Sequence, residues 1–561
     1  DLLVALPHFR PIQLFYRDPT TALIIFIIIV FLFSPFLLNF ILKRFYKCQR
    51  LPIYKLNNRC PITTKLSQRY CNQYKIPLPY FGILPTNAPL IFSYGQSPKK
   101  ANIIFSEGLL NQLSDEEIAT LLAGELSMIS DSPLFIFSGA IALLQVPYTL
   151  YHQISDWGEK LYQWLPKKAP WLVPQWFWRD LPPFIQHSTA YIAQFFYLTY
   201  SLWKLPLNWL FQIKHSYHDY LSVALTGNPN AKVRSLIKIA VGINYNIETK
   251  QQTDWCLENF SLISPIGHRQ GMTFGSLLSQ LSPETILNWE NSQPYRQQLN
   301  WFHSHPLISD RALKLMDFSR KYQLPLEFDL TPPSPPETTL KKQVQKLISA
   351  VKVFPLFQRS LYLGMSLGIA LRIFFWILGI LSQQFNWFAL TWLADTESFL
   401  TACILFIFSL SLLIGTNHYF PNIKLSSANN NPDLSQWLTN IPHPQAVHSL
   451  RISGTLLGRK GNNNWLGQDL ILATETGNIS LHISSRLGIL GNILPGFPRA
   501  NEFIGKPVIV SGWFRRGIVP WIDVERITND QRQSIRAGYP IFLTLLALVA
   551  AIWGTHLILI G

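Results

Sequence analysis

The chain is poor in charge. Only 14% of its 561 residues are Asp, Glu, Lys or Arg, against about 25% in ordinary soluble domains. With 48% hydrophobic residues, that balance argues against a water-soluble enzyme and makes an integral membrane protein the first expectation. Cysteine is scarce as well. Cys48, Cys60, Cys71, Cys256 and Cys403 include no C-x-x-C pair, so neither a disulfide framework nor a zinc knuckle is indicated, and a reducing compartment is the simpler reading. No P-loop or dinucleotide fingerprint occurs, which removes the chemistries those motifs carry. No cleavable signal peptide is visible, and a start at Asp1 rather than Met leads us to expect an N-terminal piece beyond it.

What is present is apolar length. A bilayer crossing takes about 20 residues. Six segments approach that: 22–42, 133–150, 184–203, 362–381, 398–415 and 539–560. The first is followed by Lys43, Arg44, Lys47, Arg50, Lys55 and Arg59, whereas the turn over 383–397 has no Lys or Arg. The positive-inside rule then puts the loop after the first span, and with it 43–132, 212–361 and 416–538, on the cytoplasmic side. The net charge of +16 fits basic loops beside anionic lipid better than nucleic acid. Trp157, Trp164, Trp171, Trp176 and Trp178 suit an interfacial belt, with a packed aromatic loop as the alternative. Arg372 falls near the middle of the fourth span, where a charge costs several kcal/mol, about 3 by insertion scales. It needs a partner or a wet cleft, unless it snorkels from a tilted helix.

The expected organisation is a first segment and span (1–43), a core carrying two apolar helices (44–330), a Pro-rich linker (331–361), a helical hairpin (362–415), a polar linker (416–446), a compact β unit (447–530) and a final span (531–561). The spacer is Pro332-Pro333-Ser334-Pro335-Pro336. In the β unit, 449–456, 469–474, 478–484, 507–513 and 520–527 read as short strands punctuated by Gly and Asn. Five strands in so short a stretch resemble an OB-fold. Arg451, Arg459, Lys460, Arg515 and Arg516 with Trp465, Trp513 and Trp521 raise single-strand binding. The competing reading has the Trp residues filling the barrel and the Arg residues facing lipid. The fold class expected is therefore mainly α, a polytopic membrane protein with a small sheet in its core and a small C-terminal β-barrel.

Four islands in the core carry a family resemblance. They are Gly82–Thr86 with Phe92–Gly95; Glu107–Leu110 leading to Ser114-Asp115-Glu116-Glu117 and the helix over 121–129; His215-Ser216-Tyr217-His218-Asp219 before Asn228-Pro229; and His303-Ser304-His305-Pro306 before Asp310-Arg311. Ser114 and Glu117 have capping-box spacing. In this order the islands resemble the HtpX-like and CAAX-prenyl-protease-type membrane zinc metallopeptidases, gluzincins whose helix carries His-Glu-x-x-His. Two His at i and i+4 hold the metal and the Glu between them is the general base.

Here the match is partial. Glu125 stands at the base position, but Gly124 and Met128 stand where the two His belong. The resemblance implies a third ligand at His215, normally Glu, an orienting Asp at Asp219, and a transition-state-stabilising His at His305. All three ligand positions depart from the pattern. The resulting expectation is a catalytically inactive homologue, with Glu125 and His305 vestigial, no cofactor, and a role as scaffold, adaptor or assembly and quality-control factor for membrane proteins or their complexes. Glu125 is expected to pack or to pair with a nearby Arg or Lys. Two alternatives stand beside it: an active metalloendopeptidase whose zinc is held by a rebuilt set of His215, His218 and His303, and a membrane-tethered nucleic-acid binder acting through the barrel.

Overall fold

The computed structural model describes residues 19–131, 134–168, 175–291, 303–325, 327–328, 330, 356–385, 387, 390–395, 398–421, 423, 429–434, 448–485, 500–515, 519–537 and 541–560. It divides into two units, residues 1–288 with 302–331 and residues 289–301 with 332–561.

The first unit opens on helix α1 (Pro19–Arg44), which covers the first expected span and ends on Lys43 and Arg44. A four-stranded sheet follows, built from β1 (Gln49–Arg50), β2 (Tyr80–Leu84), β3 (Ile91–Gly95) and β4 (Ala101–Ser106) in the order β1-β2-β4-β3. Helix α2 (Pro61–Tyr74) lies between the first two strands in sequence. β2 runs parallel to β4, and β3 returns antiparallel to it. Ser106 ends β4 and caps the short helix α3 (Glu107–Gln112) by accepting from Leu109 N at 3.1 Å. Next comes α4 (Asp115–Asp131), buried on every side from Glu117 to Ile129. Its N-terminal turn carries Asp115, Glu116 and Glu117, favourable against the helix dipole. The Glu117 carboxylate accepts from Ser114 N at 2.8 Å, the return half of a capping box.

Two long helices surround this core, α5 (Leu134–Lys168) and α6 (Gln175–Thr226). The stretch expected to be an outer loop, 151–183, is thus helical over most of its length. There Trp157 and Trp164 are exposed, while Trp171 lies outside the described residues. Asn228 then accepts from Ala231 N at 3.0 Å, and Pro229 starts α7 (Pro229–Lys250). Short helices α8 (Trp255–Asn259) and α9 (His268–Leu277) lead on to α10 (Ile308–Lys321). Tyr148 of α5 and Tyr197 of α6 both donate to the Glu258 carboxylate of α8, at 2.9 and 3.0 Å.

The second unit begins with α11 (Leu356–Gln384) and α12 (Ser398–Tyr419), and ends with α13 (Ile541–Ile560). Leu356, Phe408, Leu412, Leu543, Ala547 and Ala550 form one apolar cluster among them. Four helices among the described residues are long and apolar enough to cross a membrane: Leu134–Trp164, Arg359–Gln384, Phe399–Asn417 and Ile541–Leu559. The expected span at 184–203 is not one of them. It is a stretch of α6 that mixes Gln186, His187 and Gln194 into its apolar residues.

Between α12 and α13 stands the barrel. Its strands are β5 (Asn429–Asn430), β6 (His448–Leu457), β7 (Ile471–Thr474), β8 (Gly477–His482), β9 (Pro507–Arg515), β10 (Trp521–Asn529) and β11 (Ser534–Arg536). β6, β7, β8, β10 and β9 close on themselves, because β9 pairs with both β10 and β6. The β8–β10 pair is parallel and the other pairs of the ring are antiparallel, the closed Greek-key arrangement of an OB-type barrel. Two boundaries differ from expectation. The polar linker holds β5, which pairs with β6, and the final segment holds β11, which pairs with β10. Both are too short to show a strand period in sequence. The Pro332–Pro336 spacer lies outside the described residues.

Candidate functional site

The site is assembled from four elements of the first unit. Helix α4 supplies Gly124, Glu125 and Met128. Helix α6 supplies two pairs at i, i+4, Lys214 with His218 and His215 with Asp219, on adjoining faces. The first turn of α7 brings Lys232 and the first turn of α10 brings Arg311. All of these residues are buried.

Gly124 is the centre of the geometry. A Cβ built there would lie 2.3 Å from His218 Cε1, 2.4 Å from Nε2 and 2.6 Å from Nδ1. The volume that a side chain at position 124 would need is filled by the imidazole of His218. One helical step along, Glu125 accepts from Ser93 Oγ in β3. Its other neighbours are cationic or titratable: Lys214 Nζ at 3.9 Å and His218 Nε2 at 3.3 Å. On the far side of the imidazole, Nδ1 faces Lys232 Nζ at 3.2 Å. Lys232 lies 3.3 Å from Asp219, and Arg311 clasps the same carboxylate through Nε at 2.5 Å and Nη2 at 2.8 Å. Arg311 also donates to the Pro265 carbonyl. Two buried carboxylates and three buried cations therefore form one continuous network through His218.

This network fixes the proton states. Burial alone would raise the Glu125 carboxyl, but Lys214 and His218, with the Ser93 hydroxyl, outweigh it and hold it down at about 2. Burial would also raise Asp219, yet Arg311 and Lys232 keep it well below the usual carboxylate range. Burial pulls Lys232 down, against the opposing pull of Asp219. A carboxylate titrating near 2 is a weak proton acceptor at neutral pH, far from the value that suits a general base.

The remaining histidines are committed elsewhere. His215 donates from Nε2 to the Leu262 carbonyl at 3.0 Å, and burial, with His305 and Arg311 nearby, lowers its pKa well below the ordinary value. His305 donates from Nε2 to the Ser264 carbonyl at 2.8 Å, while its Nδ1 lies 2.8 Å from Ser304 Oγ. Burial pushes His305 to about 3. The two rings stack with centroids 4.5 Å apart. A carbonyl can only accept, so both Nε2 atoms carry hydrogen and neither offers its lone pair there.

Zinc, which the family resemblance implies, does not fit this donor set. Position 124 has no side chain and no room for one, thioether at Met128 is a poor zinc ligand, and Lys214 and Lys232 place ammonium groups against Glu125 and His218. Among the described residues no group of three His, Cys, Asp or Glu side chains has metal-holding spacing. The rebuilt set of His215, His218 and His303 is not drawn together, because His215 turns to Leu262 and His218 to Glu125 and Lys232.

The structure unites Glu125, His218 and Asp219 directly, with His215 and His305 as a stacked pair alongside. Pairing of Glu125 with a lysine accords with expectation. Lys214, Lys232 and Ser93 are the members that the motifs did not reveal. Lys214 and His218 at i, i+4 were the one available signal.

In the second unit, Arg372 donates to the Leu393 carbonyl at 2.8 Å, with its guanidinium 5.5 Å from the Phe399 ring centroid. Its partner is a protein carbonyl, in the turn between α11 and α12. In the barrel, Trp465 and Trp513 are buried, and Arg459 and Arg515 are buried in ion pairs with Asp469 and Asp523. Arg516 lies outside the described residues.

Comparison with known proteins agrees with the islands. Residues 67–318 match Peptidase family M48. Among curated relatives, the chain is 37% identical over 83 residues to a protease HtpX homolog of Campylobacter hominis, covering 14% of this chain and 29% of that protein. It is 32% identical over 116 residues to protease HtpX homolog 2 of Methanosarcina acetivorans, covering 19% and 40%. With a protease HtpX homolog of Desulfatibacillum aliphaticivorans it shares 33% over 92 residues, 16% and 29% of the two chains. The aligned region thus spans under half the length of these relatives. No solved structure gives a significant match.

Proposed function

We propose that this chain, an HtpX-like membrane member of peptidase family M48, works without zinc, as a pseudoprotease that binds membrane-protein segments and does not cut them. The observation that carries the reading is the His218 ring in the place of a side chain at position 124, with Lys232 against the ring and Lys214 against Glu125. Peptide hydrolysis by the family's chemistry needs an activated water and a stabilised oxyanion. Glu125 is held as an ion-paired carboxylate, and His305 spends its Nε2 hydrogen on a backbone carbonyl. The retained core then serves as a scaffold or assembly factor for membrane proteins. The basic stretch after α1 supports a cytoplasmic position for this core.

The test is elemental analysis of the purified full chain, washed of loosely bound metal. The expected result is well below one zinc per chain, with a thermal midpoint that does not respond to chelator. About one zinc per chain, together with zinc-dependent cleavage abolished by Glu125→Gln, overturns the proposal.

A further inference from the structure

The outer face of the barrel carries a row of three arginines, on β6, β10 and β11, with Ser511 of β9 between the first two. In register, Arg451 of β6 faces Ser511 of β9, Ser511 faces Arg526 of β10, and Arg526 faces Arg536 of β11. Their neighbours along each strand, Leu450, Ile452, Val510, Ile527 and Ile535, are buried. The strand alternation therefore turns the whole row outward. Arg451 and Arg536 are exposed, Arg526 is half-buried, and exposed Arg532 sits in the turn before β11. No ion pair joins any of the four to a carboxylate among the described residues. Glu525, the bulge residue beside Arg526, is no exception. Like charges directly opposite on neighbouring strands, as Arg526 and Arg536 are, destabilise the pair, and an anion from outside the chain would relieve that repulsion.

Two observations place the row at the membrane surface. First, the same face of β9 continues from Ser511 to Trp513 and Arg515, and both are covered by the end of membrane helix α12. Trp513 Nε1 donates to the Pro421 carbonyl at 2.8 Å, and Arg515 donates to the Tyr419 carbonyl at 2.6 Å with its guanidinium 3.6 Å from the Tyr419 ring centroid. Ser511 is two residues from Trp513, about 7 Å along a strand. Second, Arg536 precedes the first residue of membrane helix α13, Ile541, by five positions, a reach of at most about 18 Å. The row lies between the exit of one span and the entry of the next.

Nucleic acid is the weaker partner. OB-type barrels take single strands on the face of their second and third strands, which here are β7 and β8. Those strands contain no Lys, Arg, Trp, Tyr or Phe, the residues that contact phosphate and stack bases.

We infer that Arg451, Arg526 and Arg536 form a binding surface for the phosphate headgroups of anionic lipids in the membrane that α12 and α13 cross. This stands independently of the reading of the first unit.

The test uses the full chain in detergent, titrated with phosphatidylglycerol or phosphatidylcholine and read by native mass spectrometry. The comparison is with an R451Q/R526Q/R536Q variant. Each basic residue near an anionic surface is worth about 1 kcal/mol, about fivefold, so three predict a loss on the order of a hundredfold in phosphatidylglycerol affinity. Phosphatidylcholine binding should not change. Unchanged phosphatidylglycerol affinity in the variant overturns the proposal. So does a variant defect confined to inorganic phosphate or to a single-stranded oligonucleotide. Because the three side chains point outward, the variant should keep the wild-type thermal midpoint in phosphatidylcholine nanodiscs. If it does not, single substitutions measured in the same titration replace it, each expected to lose about fivefold, and no loss in any of them likewise overturns the surface.

Discussion

Replacing Gly124 with Ala should change sign according to what stands at position 218. Two effects compete. Ala is favoured over Gly inside a helix by about 1 kcal/mol, and position 124 lies within the 17-residue α4. Against that, the new methyl would sit 2.3–2.6 Å from three atoms of the His218 ring. The ring cannot retreat freely, because Lys232 lies 3.2 Å from Nδ1 and Glu125 lies 3.3 Å from Nε2. Overpacking of this kind costs about 1–3 kcal/mol. In the natural background Gly124→Ala is therefore expected to be neutral to destabilising by about 2 kcal/mol. In a His218→Ala background the obstruction is gone and the helix preference remains, so the same substitution should stabilise by about 1 kcal/mol. The coupling between the two positions is then about 1–3 kcal/mol. Differential scanning fluorimetry on the four proteins of the cycle measures it. At about 2–4 °C per kcal/mol for a unit of this size, the predicted coupling corresponds to roughly 2–12 °C. Equal effects of Gly124→Ala in both backgrounds would refute the claim that His218 fills the vacated volume.

Other outcomes follow from the same network. Lys214→Met leaves Glu125 short of a buried cation and should destabilise by about 3–5 kcal/mol; adding Glu125→Gln should recover part of the loss, and a double variant no better than the single one would contradict the pairing. Thermal stability of the core should fall as pH drops from about 6.5 toward 3, since His305, shifted from 6.5 to about 3, stays neutral when folded and binds a proton when unfolded. A second decline belongs between 4.5 and about 2, where Glu125 gains its proton sooner in the unfolded chain; Glu125→Gln should flatten that lower limb alone in a pH series of melting curves. Arg515→Ala removes the contacts to Tyr419 and Asp523, and limited proteolysis should then cut the barrel faster while leaving the first unit's pattern unchanged.

The fold was legible where residue pattern and local chemistry agree. The five ring strands of the barrel show short β-rich runs with Gly and Asn between them, and all five appear within a few residues of their expected places. Strands β5 and β11, of two and three residues, exist only because longer neighbours offer open edges, so no local pattern announces them. The same division holds at the site. Glu125, His215, Asp219 and His305 are found by motif spacing. Lys232 is not, because its role depends on where α7 crosses α6, and a lysine in the first turn after Asn228-Pro229 reads as an ordinary surface residue. Its complete burial is a tertiary fact. The outward arginine row was equally hidden, since Arg451, Arg526 and Arg536 are separated by up to 85 positions and meet only through strand register.

The packing of His218 against Gly124 also acts as a ratchet. A histidine restored at position 124 would meet an occupied volume, so that step alone lowers stability. Vacating the volume first, by removing His218, takes away the ring that stands between Glu125 and Lys232 and contacts both. Removing Lys214 first takes a buried cation from Glu125, whereas Asp219 keeps Arg311 when Lys232 is removed. Single steps toward a histidine at position 124 therefore disturb packing or charge that residues on α4, α6 and α7 share. If the chain works without zinc, as proposed, its own interior opposes the return of a ligand side chain at position 124.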